Sequence, residues 1–152
     1  MYIYTYQTKI GPITIHESNN KITKILINEK NSVNTEESNL TKQTIKEINE
    51  YLDHKRTDFT IPLDPQGTDH QIKVWNELKK IPYSETRTYK ELATSLGNPN
   101  ASRAIGSACG KNPIMIIVPC HRVIGTNGKL TGYAGGIGVK EKLIDLETKL
   151  GK

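Results

Sequence analysis

A chain of 152 residues, 35% hydrophobic and 24% charged, has the length of one compact unit or two small modules and can bury about 70% of its unfolded surface. Its two cysteines, Cys109 and Cys120, are too few for a disulfide framework or a cysteine-based zinc centre. No apolar run approaches the roughly 18 residues of a membrane span, and Met1 to Thr5 lacks a basic segment leading into an apolar one. The expectation is a soluble, cytoplasmic protein with no membrane association and with reduced thiols. The net charge of +5 is uneven: residues 1–66 carry 8 Lys/Arg against 9 Asp/Glu, whereas residues 67–152 carry 13 against 7. A basic half beside a near-neutral half points to a polyanion, most simply nucleic acid, with a solvated lysine-rich surface as the plainer alternative.

In chain order, Ile3 to Tyr6, Ile13 to His16 and Ile22 to Ile27 read as short strands. Gly11-Pro12 and Asn19-Asn20 separate them, which predicts an antiparallel meander. A polar loop covers Glu29 to Ser38, and Ile45, Ile48 and Leu52 recur at helical spacing, predicting a helix over about 40–54. Pro62, Pro65 and Gly67 read as a linker, so the expected division is 1–65 and 66–152. His16 and His54 are read as surface residues.

The second module has clear helix starts. Thr68 and Gln71 form one capping-box pattern ahead of Ile72, Trp75 and Leu78; Thr88 and Glu91 form another, with Gly97 placed to end that helix. Ala101 to Ala108 then makes a slim helix carrying one long cation, Arg103. Two short helices joined by a Gly-containing turn suggest a helix-turn-helix. A Cys-His strand, a Gly125–Gly128 turn and a final helix from about Val139 complete the order of a winged helix.

The chemistry concentrates at Pro119-Cys120-His121-Arg122-Val123, after the apolar Ile116-Ile117-Val118. A thiolate is a strong nucleophile, and a neighbouring base is what makes it available near neutral pH. A small buried cysteine beside a satisfied histidine is the ordinary reading of a lone cysteine, and the surroundings of this pair argue against it. Consecutive strand residues face opposite ways, so a shared site requires a turn after Pro119 or a bridging water. On the last helix Val139, Leu143, Leu146 and Leu150 mark an apolar face that Glu147 borders. A carboxylate there needs a partner, and His121 is the obvious one. Cys120, His121 and Glu147 then take the roles of nucleophile, base and orienter.

These strings resemble the methylated-DNA–protein-cysteine methyltransferases, the O6-alkylguanine-DNA alkyltransferase family. The resemblance rests on Pro119 to Val123, Gly97-Asn98-Pro99, Arg103 to Gly106, Lys111-Asn112-Pro113 and Gly132 to Gly136, and covers about residues 68–150. It implies an α+β chain. A small α/β domain with an antiparallel sheet, ribonuclease H-like, is followed by a mainly helical winged helix-turn-helix domain that binds DNA and does the chemistry.

The resemblance further implies that Cys120 takes the alkyl group from O6 of guanine, and possibly from O4 of thymine, in one irreversible turnover. His121 acts through a water, Glu147 orients it, Tyr89 helps the guanine leave, and Asn112 braces the turn. Double-stranded DNA is expected in the minor groove with the damaged nucleotide flipped out. Arg103 fills the gap, and Tyr89, Ala101, Ser102, Gly106, Lys111 and Arg122 contact DNA. Val123, Tyr133, Ala134 and Gly135 line the base pocket. No cofactor and no metal are expected, and the protein is expected to be a monomer. Ala134 stands where some relatives have Ser. The competing reading is a non-catalytic lesion binder of the alkyltransferase-like type, which Cys120 argues against; a winged-helix regulator leaves Glu147, Tyr89 and Asn112 unexplained.

Overall fold

Isoleucine-rich β-branched runs set the first strands, burying Ile13, Ile15, Ile22, Ile25 and Ile27. The computed structural model describes residues 1–29, 33–128, 133 and 136–150. Strands β1 (Tyr2–Thr8), β2 (Gly11–Ser18) and β3 (Lys21–Ile27) form an antiparallel sheet in that order. Asn19 (φ 54) and Asn20 (φ 63) make the two-residue turn between β2 and β3; asparagine tolerates this left-handed geometry better than other side chains. Glu17 pairs with Ile22 and His16 with Lys24, so Thr23 is an extra residue in β3. That bulge brings Ile22 and Ile25, three residues apart, both into the core.

Helix α1 (Asn39–Leu52) starts at a Ser38/Thr41 capping box and buries Ile45, Ile48, Tyr51 and Leu52. The Pro62 region, expected as a plain linker, pairs with the sheet instead. Ile22 donates to the Pro62 carbonyl at 2.9 Å and accepts from the Asp64 amide at 2.8 Å. Further along β3, Ile25 makes the same pair of bonds with Pro113 and Met115. An uncovered strand edge would leave those backbone groups unpaired, and two short segments cover it. The chain accordingly divides into Met1–Gln66 with Pro113–Ile117, and Gly67–Asn112 with Val118–Lys152.

The second unit is helical. Capping boxes at Thr68/Gln71 and Thr88/Glu91 start α2 (Asp69–Leu78) and α3 (Tyr89–Ser95), and α4 (Ser102–Gly110) follows. Gly97, at φ +82, supplies the left-handed residue that ends α3. Trp75 of α2 is buried and its indole donates to the Ala108 carbonyl of α4 at 2.9 Å. Its ring lies so close to Gly67 that a methyl group there would sit 2.4 Å from it. Strand β4 (Arg87–Thr88) pairs in parallel with β5 (Val123–Ile124), and α5 (Ile137–Leu150) starts two residues before the expected Val139. Cys120 and His121 do not lie on a strand as expected: Cys120–Arg122 is one turn of 3-10 helix, and the strand begins only at Val123. Among the described residues no helix is long and apolar enough to cross a membrane.

Candidate active site

Proline shapes the site. Pro119, at φ −83 and ψ 62, is the centre of an inverse γ-turn in which the Cys120 amide donates to the Val118 carbonyl at 2.8 Å. The Arg122 amide then bonds the Pro119 carbonyl at 3.0 Å, closing the 3-10 turn. Successive side chains on such a turn diverge by about 120°. Cys120 and His121 therefore face different partners although they are neighbours in sequence.

Cys120 faces Asn112. The Asn112 amide, just beyond α4, donates from Nδ2 to the Val118 carbonyl at 2.8 Å and to Cys120 Sγ at 3.2 Å. Both residues are buried. Burial pushes the thiol up to about 11, against the pull of Asn112 and of the Lys140 charge. The resting thiol is protonated and needs a base to react.

His121 faces α5. It is fully buried, and its Nε2 lies 2.7 Å from Glu147 Oε2. Arg122 forks onto the same carboxylate, Nε to Oε1 at 2.8 Å and Nη2 to Oε2 at 2.9 Å. Its Nη1 donates to the Ile81 carbonyl at 2.8 Å, and the guanidinium stands 5.6 Å from the centre of the Tyr83 ring. The Ser84 amide also donates to Glu147 Oε1, at 3.2 Å. Burial raises the Glu147 carboxyl, but the donors from His121 and Arg122 outweigh it and hold the group at about 2. Burial lowers His121; Glu147 opposes that, while Arg122 and Lys140 add to it. No direct hydrogen bond joins Cys120 to His121 among the described residues, and His121 Nδ1, itself buried, has no partner there.

The other expected residues divide. Arg103 and Lys111 are exposed, and Ala101 and Ser102 are half-buried. Gly106 looks toward Tyr89: a Cβ there would rest 3.8 Å from that ring. Arg122, expected at the DNA surface, is instead buried in the Glu147 ion pair, because a fork of donors beside an inward carboxylate is held there more strongly than by water. Val123 and Tyr133 are buried, while Ala134 and Gly135 lie outside the described residues.

Sequence reasoning missed Lys140. It is almost wholly buried, with Nζ 5.8 Å from the Tyr89 ring centre. Burial lowers its pKa, and the nearby Cys120 and Cys109 thiols oppose that. The available signal was its spacing, seven residues before Glu147 and so two helical turns along the same stripe. Among the described residues no group of three or more His, Cys, Asp or Glu side chains is placed to hold a metal ion.

The second unit thus combines an exposed Arg103 on a slim helix with a buried thiol braced by Asn112 and a histidine bonded to a buried carboxylate. The chain belongs to the 6-O-methylguanine DNA methyltransferase family. That family's DNA-binding domain matches residues 69–149, and its ribonuclease-like domain matches residues 1–65. The chain is 44% identical over 153 residues to the methylated-DNA–protein-cysteine methyltransferase of Methanosarcina acetivorans, covering 97% of this chain and 98% of that one. It is 44% identical over 152 residues to the protein of the same name in Mycobacterium tuberculosis, covering 94% and 90%. The crystal structure of Mycobacterium tuberculosis OGT in complex with DNA matches with a TM-score of 0.92 at 43% identity, covering 99% of this chain and 94% of that one.

Proposed function

We propose that the protein repairs O6-alkylguanine in double-stranded DNA by moving the alkyl group once onto its own Cys120. The observation that carries this reading is the divergence of the 3-10 turn. It presents one thiol to Asn112 and one imidazole to Glu147, with a ring nitrogen left unpartnered.

The base is hidden inside a duplex, so the damaged nucleotide must flip out at a cost of a few kcal/mol. Exposed Arg103, on a helix of small residues, enters the minor groove and fills the vacated stack. The N-terminus of α4 has no side-chain cap, which leaves amides for the phosphate backbone near Ala101 and Ser102. Val123 and Tyr133 wall the pocket for the base. Cys120 sulfur attacks the alkyl carbon in line, the carbon–O6 bond breaks, and the thiol proton passes through a water to His121 Nδ1. Guanine leaves as an anion and is protonated with the help of Tyr89. Lys140 adds a buried positive charge near the developing thiolate. The product is a thioether, so Cys120 is not regenerated and no cofactor takes part. In this division of labour residues 66–152 do the work, residues 1–65 form the accessory domain, and the protein acts as a cytoplasmic monomer.

The test is a duplex bearing one O6-methylguanine, followed for both lesion and protein mass. Repair is expected to stop at one equivalent, with one added methyl on Cys120. Turnover beyond one equivalent, or repair by Cys120→Ala, would sink the proposal. DNA binding without any mass gain would favour the lesion-binder alternative.

A further inference from the structure

Glu147 receives more hydrogen bonds than orienting one imidazole requires. Arg122 matches both carboxylate oxygens with a fork, at 2.8 and 2.9 Å, and is itself anchored to the Ile81 carbonyl. Ser84 adds an amide at 3.2 Å from a left-handed backbone, φ 73, that a serine keeps only when its surroundings hold it. A carboxylate held by a guanidinium fork is ionised and can only accept. His121 Nε2, 2.7 Å from Oε2, must then be the donor. A neutral imidazole that carries its proton on Nε2 has its lone pair on Nδ1. That is the nitrogen without a partner among the described residues.

We propose that Arg122 is a positioning residue for the transfer: it locks Glu147 as a pure acceptor, which fixes His121 in its Nε2–H form and leaves Nδ1 as the nitrogen that takes the Cys120 proton. The inference rests on the reading of Cys120 as acceptor and His121 as its base. The charge balance gives the reason. Glu147 and Arg122 cancel, so His121 is neutral at no cost to the buried site. Without Arg122 the buried carboxylate needs another cation, and the nearest group able to become one is His121. An imidazolium has no lone pair to offer. The groups facing this pair are Cys120 and Arg122 from the turn, Lys140 from α5, Tyr83 beyond the guanidinium, and Tyr133. Lys140 works against protonation of His121 and so limits the shift without cancelling it.

The test is the pH dependence of methyl transfer from an O6-methylguanine duplex to Cys120, in wild type, Arg122→Lys and Arg122→Met. In Arg122→Met the acid limb is expected to move up by about one pH unit, which slows transfer about tenfold on the acid side of the limb and lets it recover at higher pH. Arg122→Lys keeps a charge but loses the fork, and should fall between. An acid limb that stays in place while the rate drops equally at every pH would mean a structural role only, and would overturn the proposal. Nitrogen-15 NMR of the wild type judges it independently, even if Arg122→Met does not fold. His121 should hold its proton on Nε2 through the neutral range, and a proton on Nδ1 instead would overturn it. Absence of methyl transfer in the wild type would remove the reading of Cys120 and leave the NMR result to decide on Arg122.

Discussion

Glu47 in the first unit and Glu147 in the second are both carboxylates with almost no exposure, yet they sit in opposite kinds of company. Glu47 accepts from Gln43, from the Thr60 amide and hydroxyl, and stands 3.6 Å from Arg56. Burial raises its pKa, but the Thr60 and Gln43 donors outweigh that and lower it. Those contacts tie the chain at Thr60 to α1, with no nucleophile or base beside them in the contacts named. Glu147 holds a histidine whose second nitrogen is still unused, beside a thiol on the same turn. Burial of a charge does not mark a reactive site. A partner with unused capacity does.

The largest effect that would break this contrast comes from Glu147→Gln. It leaves Arg122 buried without its counter-charge, and should cost about 3–5 kcal/mol in denaturant unfolding. It should also slow single-turnover methyl transfer about a hundredfold through loss of the oriented base. Glu47→Gln should cost about 1–3 kcal/mol and leave the transfer rate of the folded protein within about twofold of wild type. Equal slowing in both variants would erase the distinction.

Acid should act mainly on the second unit. Glu147 is held at about 2, below its usual 4.5, so its contribution is complete above about pH 4.5 and is lost as pH falls toward 2. His121 is lowered from 6.5, so the unfolded chain binds its proton first, and stability starts to fall as pH drops through 6.5. Denaturation midpoints followed against pH should therefore fall steadily on acidification, and Glu147→Gln should flatten the part between about 4.5 and 2.

Arg103→Ala sharpens the separation between DNA handling and chemistry. Repair of duplex O6-methylguanine should slow about 10- to 100-fold, since flipping loses its support, while reaction with the free alkylated base should change far less. Gly67→Ala, where the new methyl meets the Trp75 ring, should leave the chemistry of the folded protein alone and act on stability only. Thermal unfolding should reveal a loss of about 1–3 kcal/mol.

Much of the fold was legible because its signals are local. The capping boxes at Thr68/Gln71 and Thr88/Glu91, the Asn19-Asn20 turn and Gly97 each act within four residues of chain. Glu147 was legible too, since a carboxylate bordering an apolar helical stripe needs a partner and His121 was at hand. The Cys-His strand was a misreading. The β-branched run before Pro119 argued for extended chain, but residues 115–117 already turn, with Ile116 at φ 72, and the γ-turn at the proline takes the next residues into a 3-10 turn. Arg122 and Lys140 were misjudged or missed for one reason: long cations are read as surface residues unless their partners are known.

The helix starts, the hairpin, the Cys-His adjacency and membership of the 6-O-methylguanine DNA methyltransferase family could all be read from the chain alone. These follow from short-range backbone chemistry and from contiguous strings. Packing alone shows that Cys120 and His121 point to different partners, that Arg122 is buried against Glu147, and that Lys140 is buried near the thiol. A buried charge is favourable only in the company of partners brought together from distant points of the chain, and that company is set by packing.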